Sequence, residues 1–190
     1  MPNPITSAVR FASPFKGRVA IVLAALIFAQ MPASSLSSQS VPQRANVSYQ
    51  NGQLELQMWE LINRDRADRS YSSETEGRAP ALQWDDRLAA VARMHSEEMA
   101  RNEYFSHEGA DGSSPAQRVS MAGIKWLSTG ENIANCRGVN EAESLFMNEP
   151  KFQHNHRWNI LNVKYTHVGV GVAQAPDGSF YITQEFAQLR

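Results

Sequence analysis

Residues 105–134 read FSHEGADGSSPAQRVSMAGIKWLSTGENIA, opening on His107 and closing on Gly130-Glu131-Asn132. Asp111-Gly112-Ser113 is turn chemistry. Ser114 is suited to cap a short helix, Pro115 to begin it, and Gly123 to end it after Met121. Glu131-Asn132-Ile133-Ala134 then reads as a strand. A loop-rich segment of this kind brings His107 and Glu131 into one cleft. Glu149 and His156 supply a second half-site downstream.

Working outward, Leu54, Met58, Leu61 and Ile62 fall at i, i+4, i+7 and i+8 and predict a helix from about Leu54 to Arg66. The charged run Arg64 to Gly77 predicts a loop. Asp85 or Asp86 caps a second helix, whose stripe is Leu88, Ala92, His95 and Met99. His95 on that stripe reads as a core histidine with a satisfied ring, ahead of a metal ligand. Asn140 or Glu141 starts a further helix with Ala142, Leu145 and Phe146 on its apolar face. Glu149 lies at i+3 from Phe146 on that side, and Pro150 stops the helix. His156 to Leu161 is a short helix or turn. His167 to Ala173 alternates valine with glycine, so one strand face is apolar and the other nearly bare. Asp177-Gly178 turns the chain, and Phe180 to Phe186 returns as the partner strand. Helices ahead of a hairpin indicate an α+β fold, with helices packed on an antiparallel sheet.

Arg10, Lys16 and Arg18 precede Val19 to Ala29, a run of 11 apolar residues. That is short of the roughly 20 a spanning helix needs and matches the h-region of an export signal. Residues 1–33 are expected to be a signal peptide, cleaved after Ala33 or Ser35, with an uncleaved anchor as the alternative. Residues 34–50, rich in Ser and Gln, read as a flexible linker, and 51–190 as one domain. Removing 1–33 takes three basic residues and no acidic one, leaving 15 basic against 19 acidic. That balance argues against a nucleic-acid partner. The lone Cys136 excludes an intrachain disulfide and reads as structural.

Two imidazoles and two carboxylates in a cleft, His107, Glu131, Glu149 and His156, suit a divalent metal. The glutamates could ligate it or orient the histidines from behind. The same groups suit general acid–base chemistry. Ser106 beside His107 is no nucleophile–base pair, and no G-x-S-x-G elbow is present. Trp59, Trp84, Trp126 and Trp158 read as core or cleft wall, with Arg157 and Trp158 as rim contacts for a ligand.

Several motifs recur in order: Ala92-x-x-His95-Ser96-x-x-Met99-Ala100, Phe105-Ser106-His107, Ser114-Pro115, Arg118, Gly130-Glu131-Asn132-Ile133-Ala134, His156-Arg157-x-Asn159-Ile160-Leu161, Val168-Gly169-Val170-Gly171 and Thr183-Gln184-x-Phe186. Across about 52–187 the chain resembles the bacterial, disulfide-free branch of the CAP superfamily of cysteine-rich secretory, antigen 5 and pathogenesis-related proteins. The resemblance implies an α-β-α sandwich with a small antiparallel sheet between helical layers. It also implies a cleft tetrad of His107, Glu131, Glu149 and His156. His156 is preferred to His154 because Arg-x-Asn-Ile-Leu follows it. Phe146 stands where the family usually has tryptophan, and many bacterial relatives have a small polar residue at the position of Glu149.

Three functions are compatible with this resemblance. The favoured one is a secreted, periplasmic or cell-surface protein that binds zinc or another divalent cation and an extracellular ligand, which could be a protein, a lipid or a cell-wall component. The alternatives are a hydrolase of peptides or glycans, using metal- or glutamate-activated water, and a lipid- or sterol-binding protein. The fold does not choose among them.

Overall fold

The computed structural model describes residues 8–10, 41–77 and 79–190. In chain order the elements are β1 (Ala8–Arg10), α1 (Val41–Ala67), a 3-10 turn (Arg69–Tyr71), α2 (Ser72–Thr75), β2 (Gln83–Trp84), α3 (Asp86–Asn102), α4 (Pro115–Met121), β3 (Trp126–Cys136), α5 (Val139–Met147), α6 (His156–Leu161), β4 (His167–Gln174) and β5 (Phe180–Leu189). The sheet order is β1-β3-β5-β4-β2. β3, β5 and β4 are antiparallel, while β1 and β2 lie parallel to their neighbours at the two edges. The sheet is therefore mixed rather than purely antiparallel. The edge strands escape a reading by alternation because they are three and two residues long.

Helical layers cover both faces of the sheet. Val168, Val170 and Val172 of β4 join Ile182 and Phe186 of β5 in a core with Met58 and Ile62 of α1, Ala142 and Phe146 of α5, and Ile160 of α6. On the opposite face α3 packs directly on β4 and β5. The bare positions of β4 permit this approach. A Cβ at Gly169 would lie 2.0 Å from the Ala89 nitrogen, and one at Gly171 would lie 2.2 Å from the Ala92 carbonyl carbon.

Local chemistry sets the helix ends. The Asp85 carboxylate accepts from the Arg87 and Leu88 amides and caps α3. Ser114 and Gln117 form a reciprocal capping box on α4 behind Pro115. α1 begins at Val41, so residues 41–50, expected as linker, form its first turns. Their composition carries no clear apolar period, so the helix start is invisible in the pattern. The run expected as loop after Arg64 contains the last turn of α1, the 3-10 turn and α2. Of the expected signal segment only 8–10 is described, paired with Ile133–Asn135 of β3; the apolar run and both cleavage points lie outside the described residues. Among the described residues no helix is long and apolar enough to cross a membrane.

Candidate functional site

β3 carries the site at two successive residues. Glu131 faces the α3 side and Asn132 faces α6, because neighbouring side chains of a strand alternate. β1 pairs only with Ile133–Asn135, so both residues lie beyond the paired outer edge of β3 among the described residues.

Glu131 is fully buried. One carboxylate oxygen accepts from His107 Nδ1 at 2.6 Å, and the other accepts from the Arg118 guanidinium at 2.5 Å. Arg118 also donates to the carbonyls of His107 and Ser113, both at 2.9 Å, tying the loop to α4. Burial alone would raise the Glu131 carboxyl. The hydrogen bond from His107 and the charge of Arg118 outweigh it and hold the group below the usual carboxylate range. An ionised carboxylate only accepts, so His107 Nδ1 carries a proton.

The second pair repeats this arrangement. Glu149 follows α5, and one of its oxygens accepts from His156 Nδ1 at 2.6 Å while the other accepts from the His156 amide at 2.8 Å. Burial opposes ionisation of Glu149, but the bonds from His156 win and lower its pKa. Phe146 stacks on the His156 ring at 4.7 Å between centroids. His156 is fully buried, whereas the His107 side chain is 12% exposed.

An amide network bridges the two pairs. Asn132 Nδ2 donates to the His156 carbonyl at 3.1 Å and to Gln184 Oε1 at 2.8 Å. Asn159 Nδ2 donates to Asn132 Oδ1 at 2.8 Å and to the Glu131 carbonyl at 3.3 Å. Among the described residues, no group of three or more His, Cys, Asp and Glu side chains is placed to hold a metal ion. In both pairs the carboxylate stands behind an imidazole at Nδ1 instead of beside Nε2.

The other expected residues are placed as follows. His95 is buried and donates from Nε2 to the Ser106 carbonyl at 2.9 Å; burial lowers its pKa and keeps it neutral. His154 stacks on Trp158 at 4.7 Å, while His156 is the histidine that bonds Glu149. Arg157, expected at the rim, is internal: it pairs with Glu74 at 2.7–2.8 Å and lies 4.6 Å over the Tyr71 ring. The Cys136 thiol donates to the Gly138 carbonyl, and burial pushes its pKa up, away from nucleophilic use.

Glu185 was not anticipated. It is fully buried opposite Glu131 in the β3–β5 register, with its carboxyl group against that of Glu131. Burial and the Glu131 charge push its pKa well above the ordinary 4.5, so it is held as the neutral acid. The folded protein keeps a proton that the unfolded chain releases above 4.5, so stability falls as pH rises from there toward the folded-state value. Glu185→Gln keeps the shape without the titration. Its Tm should match the parent near pH 4 and exceed it by about 2 °C or more near neutrality. Parallel pH–Tm curves for the two proteins would refute a titrating Glu185. The sequence signal was a carboxylate in line with Tyr181 and Thr183 on an inward strand face.

The family model for the cysteine-rich secretory protein family matches residues 59–186. The Bacillus subtilis (strain 168) protein YkwD is 35% identical over 128 residues, which is 67% of this chain and 44% of its own. The chain thus spans less than half the length of that curated relative. An extracellular protein containing a SCP domain from Bacillus anthracis str. Ames superposes with a TM-score of 0.63 at 27% identity, covering 80% of this chain and 45% of that one. The crystal structure of NaASP2 with Zn2+ superposes with a TM-score of 0.50 at 15% identity, over 71% of this chain and 79% of that one; this likeness is one of fold alone.

Proposed function

We propose, since the chain belongs to the cysteine-rich secretory protein (CAP) family, that it is an exported protein whose cleft binds a divalent cation, zinc being the best fit, together with an extracellular ligand or partner. The observation that carries this reading is the pair of 2.6 Å carboxylate–Nδ1 contacts. A carboxylate behind an imidazole fixes its tautomer and orientation and raises its basicity, which is how metal-binding histidines are usually supported. His107 and His156 would hold the ion, with Glu131 and Glu149 orienting them. Two protein ligands fall short of the three or four of most zinc sites, so the ion is weakly held and its remaining positions are left to ligand or water. A zinc ion there would act as a Lewis acid toward a bound oxygen.

The same pairs suit a general base, which keeps hydrolysis as a second reading. Glu131→Gln separates the two. As a hydrolase the protein would lose turnover; as a binder it would lose only affinity.

Zinc at about a hundredfold above Kd adds about 2.7 kcal/mol to stability, or about 5–10 °C in Tm for a domain of this size. Protons compete for the same nitrogens, so this shift should fade as the buffer is made acidic. A shift that persists undiminished on acidification would rule out histidine ligation.

A further inference from the structure

Separate from the His–Glu pairs, a cavity of about 260 Å³ lies where loop 150–155 meets α6. The loop begins immediately after Glu149 and ends immediately before His156, so the second pair brackets its wall. Two features of the cavity present aromatic surface. Phe152 lines it with 72% of its surface exposed, and its backbone sits in the left-handed region at φ 58°. A bulky residue held there is strained, and so exposed a ring returns little packing in exchange. Beside it, Trp158 and His154 form a stacked aromatic platform on the same wall.

We propose that this cavity is a saccharide subsite for an N-acetylhexosamine oligosaccharide. The C–H face of a pyranose ring carries the partial positive charge that an aromatic face attracts. The exposed Gln153 amide offers both a donor and an acceptor for hydroxyl or acetamido groups. Val163, 40% exposed, supplies an apolar contact for the acetyl methyl. The volume, about 260 Å³, is below the roughly 300–1,000 Å³ of most ligand pockets, which suits a single sugar unit rather than a long acyl chain. The Arg157–Glu74 ion pair also lines the wall, and an acyl chain over it would strip water from charged groups without replacing their hydrogen bonds. Sugar hydroxyls replace that water.

The subsite requires no cation in the neighbouring cleft, so its test is run with a chelator present. The full chain is titrated with the β-1,4-linked tetramer of N-acetylglucosamine, followed by calorimetry and tryptophan fluorescence. The expected result is saturable binding that Phe152→Ala weakens by about tenfold, the scale of one lost aromatic contact, with Tm unchanged because the ring is exposed. Gln153→Ala should weaken it less. Absence of binding, equal affinity in Phe152→Ala, or equal affinity for a glucose tetramer lacking acetamido groups would overturn the proposal. Capture of the protein by phosphatidylcholine vesicles through Phe152, with no response to the tetramer, would overturn it in favour of a lipid surface.

Discussion

Gly169→Ala should unseat α3 from the sheet and cost on the order of 4 kcal/mol or more, among the largest effects a single methyl group can have. The added Cβ would lie 2.0 Å from the Ala89 nitrogen and 2.2 Å from the Leu88 carbonyl carbon. Both are backbone atoms of a capped helix, so no rotamer change can relieve the overlap. α3 must lift, and with it the contacts of Leu88 and Val91 with Val119 and Ala187. Chemical denaturation read by circular dichroism measures the cost. A loss below about 1 kcal/mol, the range of ordinary surface changes, would mean that α3 does not sit this close.

Arg118→Ala should cost about 3–5 kcal/mol, because it leaves the fully buried Glu131 without its cation. It also removes the bonds that fix the His107 and Ser113 carbonyls, so the loop bearing His107 loosens. Without Arg118 the Glu131 carboxyl rises toward protonation and supports the His107 ring less firmly, which should weaken cation binding. The signature is non-additivity. Adding Glu131→Gln to Arg118→Ala should recover part of the stability, since the unpaired charge is gone. Strictly additive losses in the double variant would show that the two side chains do not depend on each other.

The fold was legible where residue type and spacing carry a physical demand. The valine–glycine alternation of β4 announced a bare face, and α3 fills it. Asp85, Ser114 and Pro115 marked helix starts that the chain uses. The start of α1 at Val41 was hidden because its polar first turns carry no apolar stripe. β2 was hidden because two residues cannot show a period. In the site, the sequence singled out His107, Glu131, Glu149 and His156 through the motif resemblance, and the structure joins them as two pairs. It left open whether the glutamates would ligate a metal or stand behind the histidines; their oxygens meet Nδ1, which favours the supporting role. Arg118 and Glu185 were missed as parts of the charge balance. Arg118 reaches Glu131 from another element, and Glu185 meets it only through the β3–β5 register. Arg157 looked like a rim residue because arginine is ordinarily exposed, but Glu74 and Tyr71 take it inside.

The most direct measurement is a calorimetric titration of the protein with zinc at neutral pH, run beside the His107→Ala/His156→Ala double variant. Binding by the parent and none by the variant is the predicted result. Equal binding by both would place the ion elsewhere, and no binding by the parent would leave the two carboxylate–imidazole pairs as a metal-free site and contradict the proposed cation chemistry.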